Sequence, residues 1–203
     1  MMAPGHQVVG FTFGVGAVMW VPYAEVSASQ PFPTMLFFTF VLVGALLPDI
    51  DTPSSKLGQK FWRGLVILLG VALLGYIFAP SYLNVYHDEL KVFILMLLPV
   101  IGMMRGHRQI THSVLFLLIL VLYSWLIEAW FDIPWFYLSG LIVGVVSHLF
   151  ADCLTKRGIP LAYPFSKKRT RFFVTFRTGS TVEKVLVYIL IAGNIWFLTD
   201  QLF

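Results

Sequence analysis

Cysteine is almost missing from this chain of 203 residues, with Cys153 the single example. That excludes an intramolecular disulfide framework, and it excludes a zinc cage built from several thiolates. Charge is scarce as well: only 12% of residues are charged, ten acidic against fourteen Lys and Arg. An ordinary soluble domain carries about twice that fraction. Residues 1–7 hold no Lys or Arg and no convincing cleavage site follows. The chain is therefore read without a cleaved signal, as one integral membrane domain over 1–203.

What the chain has instead is oil. It is 58% hydrophobic with a mean hydropathy of +0.83. Apolar periodicity, broken by Pro, Gly and charge clusters, predicts helices over 7–22, 33–47, 60–79, 91–104, 113–130, 135–151 and 183–203. The fold class is all-α, a polytopic membrane helix bundle with about six or seven transmembrane or membrane-embedded helices. The first, second and fourth segments are short, since 14 residues at 1.5 Å each reach only about 21 Å. A polar connection over 158–182 alternates aromatic and polar residues in "RFFVTFRTGSTVE", which suits an interfacial hairpin at 165–182 lying on anionic lipid.

The formal charge of +4 and pI near 9.3 would suit nucleic acid. In a membrane chain, however, excess Lys and Arg reflect topology and anionic headgroups, so membrane lipids and not nucleic acid are the expected partner. The connections at 22–32, 80–90 and 131–134 contain no Lys or Arg, whereas 48–63, 105–112 and 152–184 contain all of them but Lys91. The basic connections are read as cytoplasmic, which puts the N-terminus inside. On that topology His6, His107, His112 and His148 share the cytoplasmic membrane face with Asp49, Asp51, Asp152 and Glu183.

His148 and Asp152 stand at i and i+4, about 40° apart on a helix, so both side chains can point at one ion. Imidazole and carboxylate together suit zinc or another divalent metal. The alternative is an interfacial His beside an Asp at a helix end. In "GALLPDID" a helix is expected to run into Pro48, with Asp49 and Asp51 alternating across a short extended turn. Asp51 reads either as a cap or as a base, and Asp49 as a ligand at the lipid boundary, where an unpaired charge is costly. "RGHRQITHS" brings His107, Arg108 and His112 together ahead of an apolar run, with Thr111 or Ser113 as the cap. Arg108 reads as a phosphate-holding fork or as solvated charge. "STVE" from Ser180 is a capping box, which accounts for Glu183 without catalysis, although a role at the site stays open.

In order, these segments resemble the LexA-regulated, membrane-bound metal-dependent hydrolase family of bacteria and archaea. The resemblance rests on His6, "GALLPDID" at 44–51, "HRQITHS" at 107–113, "SHLFADCLTKRGIPLAYPF" at 147–165 and "TGSTVE" at 178–183. It implies a multi-pass protein of the bacterial inner membrane that hydrolyses its substrate with a bound metal. The His-x-x-x-Asp pair and scattered His residues are also similar to those of zinc-dependent phospholipases C and related nucleases, which use several zinc ions.

The expected site therefore has His6, Asp49, His107, His112, His148 and Asp152 as metal ligands, and Asp51, Arg108 and Glu183 as catalytic candidates. Six ligands exceed what one tetrahedral zinc needs, which points to two or more divalent ions. A site at headgroup depth suits a phospholipid or lipid-linked phosphoester. Two other classes remain: a transporter moving metal ions or protons, and a non-enzymatic scaffold holding a structural metal.

Overall fold

The computed structural model describes residues 1–20, 31–50, 56–78, 110–131 and 135–202. Among them are six helices and no strand: α1 (Ala3–Trp20), α2 (Pro31–Ile50), α3 (Lys56–Phe78), α4 (Val114–Phe131), α5 (Trp135–Cys153) and α6 (Thr181–Leu202). Among the described residues two stretches, Pro33–Ile50 and Thr181–Asp200, are long and apolar enough to cross a membrane, and Val114–Trp130 and Leu138–Cys153 are shorter apolar helices. The expected segment 91–104 lies outside the described residues.

The chain divides into two compact units, one of Met1–Pro48 with His112–Phe203, the other of Asp49–Thr111. Within the second, α3 is tied down by the indole of Trp62, whose Nε1–H donates to the Ile50 carbonyl at 3.0 Å.

In the first unit α1 packs on α5 and α6, and α4 packs on α5. Small residues set how closely the helices approach. A Cβ at Gly144 would run into the Val41 carbonyl oxygen, and one at Gly44 into that of Leu141, so α2 and α5 touch backbone to backbone. A Cβ at Gly10 would come within 2.7 Å of the Ala45 Cβ, so α1 joins the same crossing. Toward the opposite end, Phe37, Val41 and Phe136 form a buried cluster against Ala17, Val18, Phe38 and Val143. Asn194 of α6 donates from Nδ2 to Thr12 Oγ1 of α1 at 3.0 Å, which joins two apolar helices by a polar pair.

Three expectations need correction. α2 does not stop ahead of Pro48 but continues through it to Ile50. The proline removes only the one N–H that would reach the Gly44 carbonyl, a loss that apolar helices tolerate where neighbours re-satisfy the backbone. α1 opens at Ala3 and not at residue 7, because Pro4 sits in the first turn, where its missing N–H has no intrahelical acceptor to lose. Finally, 165–182 does not pair with itself as a hairpin. Its backbone pairs with the segment just after α5, through isolated bridges Thr155 to Phe176 and Ile159 to Thr170.

Candidate metal centre

α5 ends in a way that fixes Asp152. Thr155 donates to the Asp152 carbonyl from both its N–H, at 3.0 Å, and its Oγ1, at 2.8 Å. The next two carbonyls, of Cys153 and Leu154, accept from the N–H groups of Phe172 and Phe176 at 2.9 and 3.0 Å. Three carbonyls at the helix end are thereby satisfied, and the Asp152 side chain is held one turn beyond His148.

His112 is set by the start of α4. Ser113 is the N-cap, its Oγ accepting the Phe116 N–H at 3.3 Å, while the Val114 N–H donates to the Leu161 carbonyl at 2.9 Å. His6 is fixed in the first turn of α1, buried to 1% exposure. The sequence expectation that Thr111 or Ser113 caps this helix resolves to Ser113.

Four side chains converge there. His148 is fully buried, and its Nδ1 lies 2.7 Å from the Ala45 carbonyl of α2. A carbonyl oxygen only accepts, so Nδ1 carries the proton and the Nε2 of the neutral ring presents its lone pair. That Nε2 is 3.3 Å from His112 Nε2 and 3.6 Å from Asp152 Oδ2, and His112 Nε2 is 3.7 Å from the same oxygen. Three donor atoms thus form a nearly equilateral triangle. The His6 ring lies flat on His148, with centroids 3.8 Å apart and planes 11° from parallel. Its Nε2 is 3.3 Å from Asp152 Oδ1 but outside hydrogen-bond geometry, and neither buried ring nitrogen has a hydrogen-bond partner among the described residues. The Met1 amino group lies 2.6 Å from Asp152 Oδ1.

This donor set fits a metal. Zinc binds His nitrogen and carboxylate oxygen at about 2.0 to 2.2 Å, so tetrahedral geometry separates neighbouring donors by about 3.3 to 3.6 Å. The triangle edges of 3.3, 3.6 and 3.7 Å lie close to that spacing. Octahedral magnesium at about 2.1 Å would draw neighbouring donors to about 3.0 Å and prefers oxygen throughout, and calcium takes oxygen rather than imidazole. The backbone acceptor behind His148 is the kind of partner that orients a metal-binding histidine.

Of the residues expected from sequence, those that the structure brings together within the first unit are His6, His112, His148 and Asp152. Asp49 lies in the last turn of α2, half-buried, in the second unit. Asp51, His107 and Arg108 lie outside the described residues. Glu183 is buried at the start of α6, and both its oxygens accept backbone N–H groups: Oε1 from Met2 at 2.8 Å and Oε2 from Gly179 at 2.7 Å. Ser180 Oγ stands 3.4 Å from the Glu183 nitrogen, the other half of the capping arrangement. The residue that sequence reasoning missed is Ala45, which acts through its carbonyl. The available signal was the Gly44-Ala45 pair, small enough for another helix to reach the backbone.

Comparison with known proteins places the chain. The profile of the YdjM inner membrane protein family matches residues 1–201. The inner membrane protein YdjM of Escherichia coli strain K12 is 30% identical over 157 residues, covering 76% of this chain and 63% of that protein. The chain thus spans less than two thirds of that relative's length. The uncharacterized protein YvsG of Bacillus subtilis strain 168 is 31% identical over 151 residues, covering 71% of this chain and 67% of that protein. No solved structure matches. The chain belongs to the YdjM family of inner membrane proteins.

Proposed function

We propose that this protein is a metal-dependent hydrolase of a phospholipid or lipid-linked phosphoester, working at the cytoplasmic face of the inner membrane as a multi-pass protein. The observation that carries the reading is the triangle of His112 Nε2, His148 Nε2 and Asp152 Oδ2, with edges of 3.3 to 3.7 Å. Three protein donors is the number found in catalytic zinc sites, whereas structural zinc sites use four.

His112, His148 and Asp152 would hold the ion, and His6 with the second oxygen of Asp152 would offer donors for another once the Met1 amino group, 2.6 Å from that oxygen, gives way. A bound divalent ion supplies Lewis acidity and a water of lowered pKa. The remaining work belongs to the chain. Ala45 holds His148 in the tautomer that leaves Nε2 free. The His6 ring covers the face of His148 and keeps water from it. Asp152 has 15% of its side chain exposed, so it is the edge of the cluster that a substrate reaches.

A position at the end of an apolar helix supports a lipid substrate, since a phosphoester at headgroup depth arrives at that level without leaving the bilayer. It counts against a transporter, whose site sits near the midplane. The test is hydrolysis of a phospholipid panel by purified protein in lipid discs, with metal content measured alongside. Turnover lost in both His148→Ala and Asp152→Ala supports the enzyme. Bound metal with no turnover on any lipid favours a scaffold, and metal flux into liposomes favours transport.

A further inference from the structure

Between Asp152 and Glu183 the chain has seven Lys and Arg, half of its total, and no acidic residue. All seven are exposed. The segment is nonetheless held firmly. Ile159 and Thr170 exchange two backbone hydrogen bonds, Thr170 to Ile159 at 2.8 Å and the reverse at 3.1 Å. Gly158 takes φ of +60°, and a Cβ there would come within 2.6 Å of the Thr170 carbonyl oxygen, so only glycine permits this approach. Phe172 packs on Phe150, which in turn packs on Phe13 of α1, each pair with ring centroids 5.3 Å apart.

From this anchored backbone, large apolar side chains point away from the protein. Phe173 is 109% exposed, Phe165 92% and Val174 79%, among Lys167, Lys168, Arg169 and Arg171. Leaving two phenylalanines in water is unfavourable by the ordinary hydrophobic argument, and a soluble protein surface rarely groups them. Both ends of the segment run directly into apolar helices. α5 ends at Cys153, and the candidate span Thr181–Asp200 begins four residues after Arg177. Continuity with those helices places the segment at the level of the headgroups.

We infer that residues 156–177 form a preorganised docking surface for anionic phospholipid, with Phe165, Phe173 and Val174 seated at the acyl boundary and the surrounding cations on headgroup phosphates. Aromatic rings among cations suit that interface. The surface is independent of turnover at the metal cluster, so a catalytically silent protein still shows it. Because the Phe172 N–H is bonded to the Cys153 carbonyl, one residue from Asp152, a lipid held there lies beside the cluster.

The test uses the full chain in bilayer discs of phosphatidylcholine, with or without phosphatidylglycerol. A spin label at Phe173→Cys in a Cys153→Ser background reports depth, and retention of labelled phosphatidylglycerol over phosphatidylcholine reports headgroup preference. The expected result is a label that collides more with oxygen than with a water-soluble nickel chelate. The preference for phosphatidylglycerol should fall at least about tenfold when Lys167, Lys168, Arg169 and Arg171 are all changed to Gln. These four side chains are exposed, so the variant keeps its fold, which thermal unfolding checks. Equal access of the nickel chelate in discs and in detergent overturns the inference, as does an unchanged headgroup preference in the Gln variant. Oligonucleotide binding that phosphatidylglycerol vesicles fail to displace overturns it too.

Discussion

His148 Nδ1 is bonded to the backbone carbonyl of Ala45 at 2.7 Å, across the crossing at which α2 and α5 meet backbone to backbone. The bond exists only because Gly44 and Gly144 let α2 and α5 meet backbone to backbone. A side chain at that crossing must therefore act at the cluster as well as on the fold. Gly144→Ala is expected to cost about 1 to 3 kcal/mol of stability through overpacking. It should also weaken metal binding about 10- to 100-fold by displacing the partner of His148. Gly16→Ala, inside α1 with nothing within 4 Å of its added Cβ, should leave metal binding unchanged and raise stability by about 0.5 to 1 kcal/mol through helix propensity. Thermal unfolding in detergent and zinc titration of both variants check this.

His6 has two separable jobs, stacking and donation. His6→Phe keeps a planar ring on His148 and removes both nitrogens. If the His6 nitrogens serve metal, the variant should bind less metal than wild type while still unfolding cooperatively, because the ring stacked on His148 is kept. Unchanged metal stoichiometry and affinity would reduce His6 to packing.

Glu183 accepts two backbone N–H groups and no side-chain donor among the hydrogen bonds described for it. Glu183→Gln turns one acceptor oxygen into a donor facing an N–H, with an expected loss of about 1 to 3 kcal/mol. Metal stoichiometry should stay as in wild type. A variant that unfolds like wild type yet has lost turnover would instead return Glu183 to the catalytic set.

The polar pair between α1 and α6 is measurable by a double-mutant cycle of Thr12→Val and Asn194→Leu. Interhelical hydrogen bonds in membrane proteins contribute about 0.6 kcal/mol on average and up to about 1.7. Coupling in that range is expected between these residues, and zero coupling would make their 3.0 Å contact incidental.

The parts of the cluster legible in sequence are those with a local period or a local cap. His148 and Asp152 were readable as a pair because helical spacing puts them on one face. His112 was readable because it precedes a cap that starts an apolar run. His6 has no local signature, and only its packing between α5 and α6 gives it meaning. The carbonyl of Ala45 was invisible for a different reason: every residue has one, and which of them lies exposed depends on how closely two helices approach. Pro48 misled for a related cause, since the rule against proline in a helix assumes that the lost hydrogen bond cannot be offset by neighbours. The alternating "RFFVTF" read as a hairpin, but its Phe172 and Phe176 N–H groups go to the end of α5, a long-range pairing that no local pattern encodes.

The central claim is that His112, His148 and Asp152 hold a divalent metal, and elemental analysis of the purified full chain tests it most directly. After loading with zinc and removal of the excess, wild type should retain at least about one ion per chain, and His148→Ala and Asp152→Ala, folded by thermal unfolding, should retain little. A folded wild type that retains none, or variants that retain as much as wild type, would contradict the account.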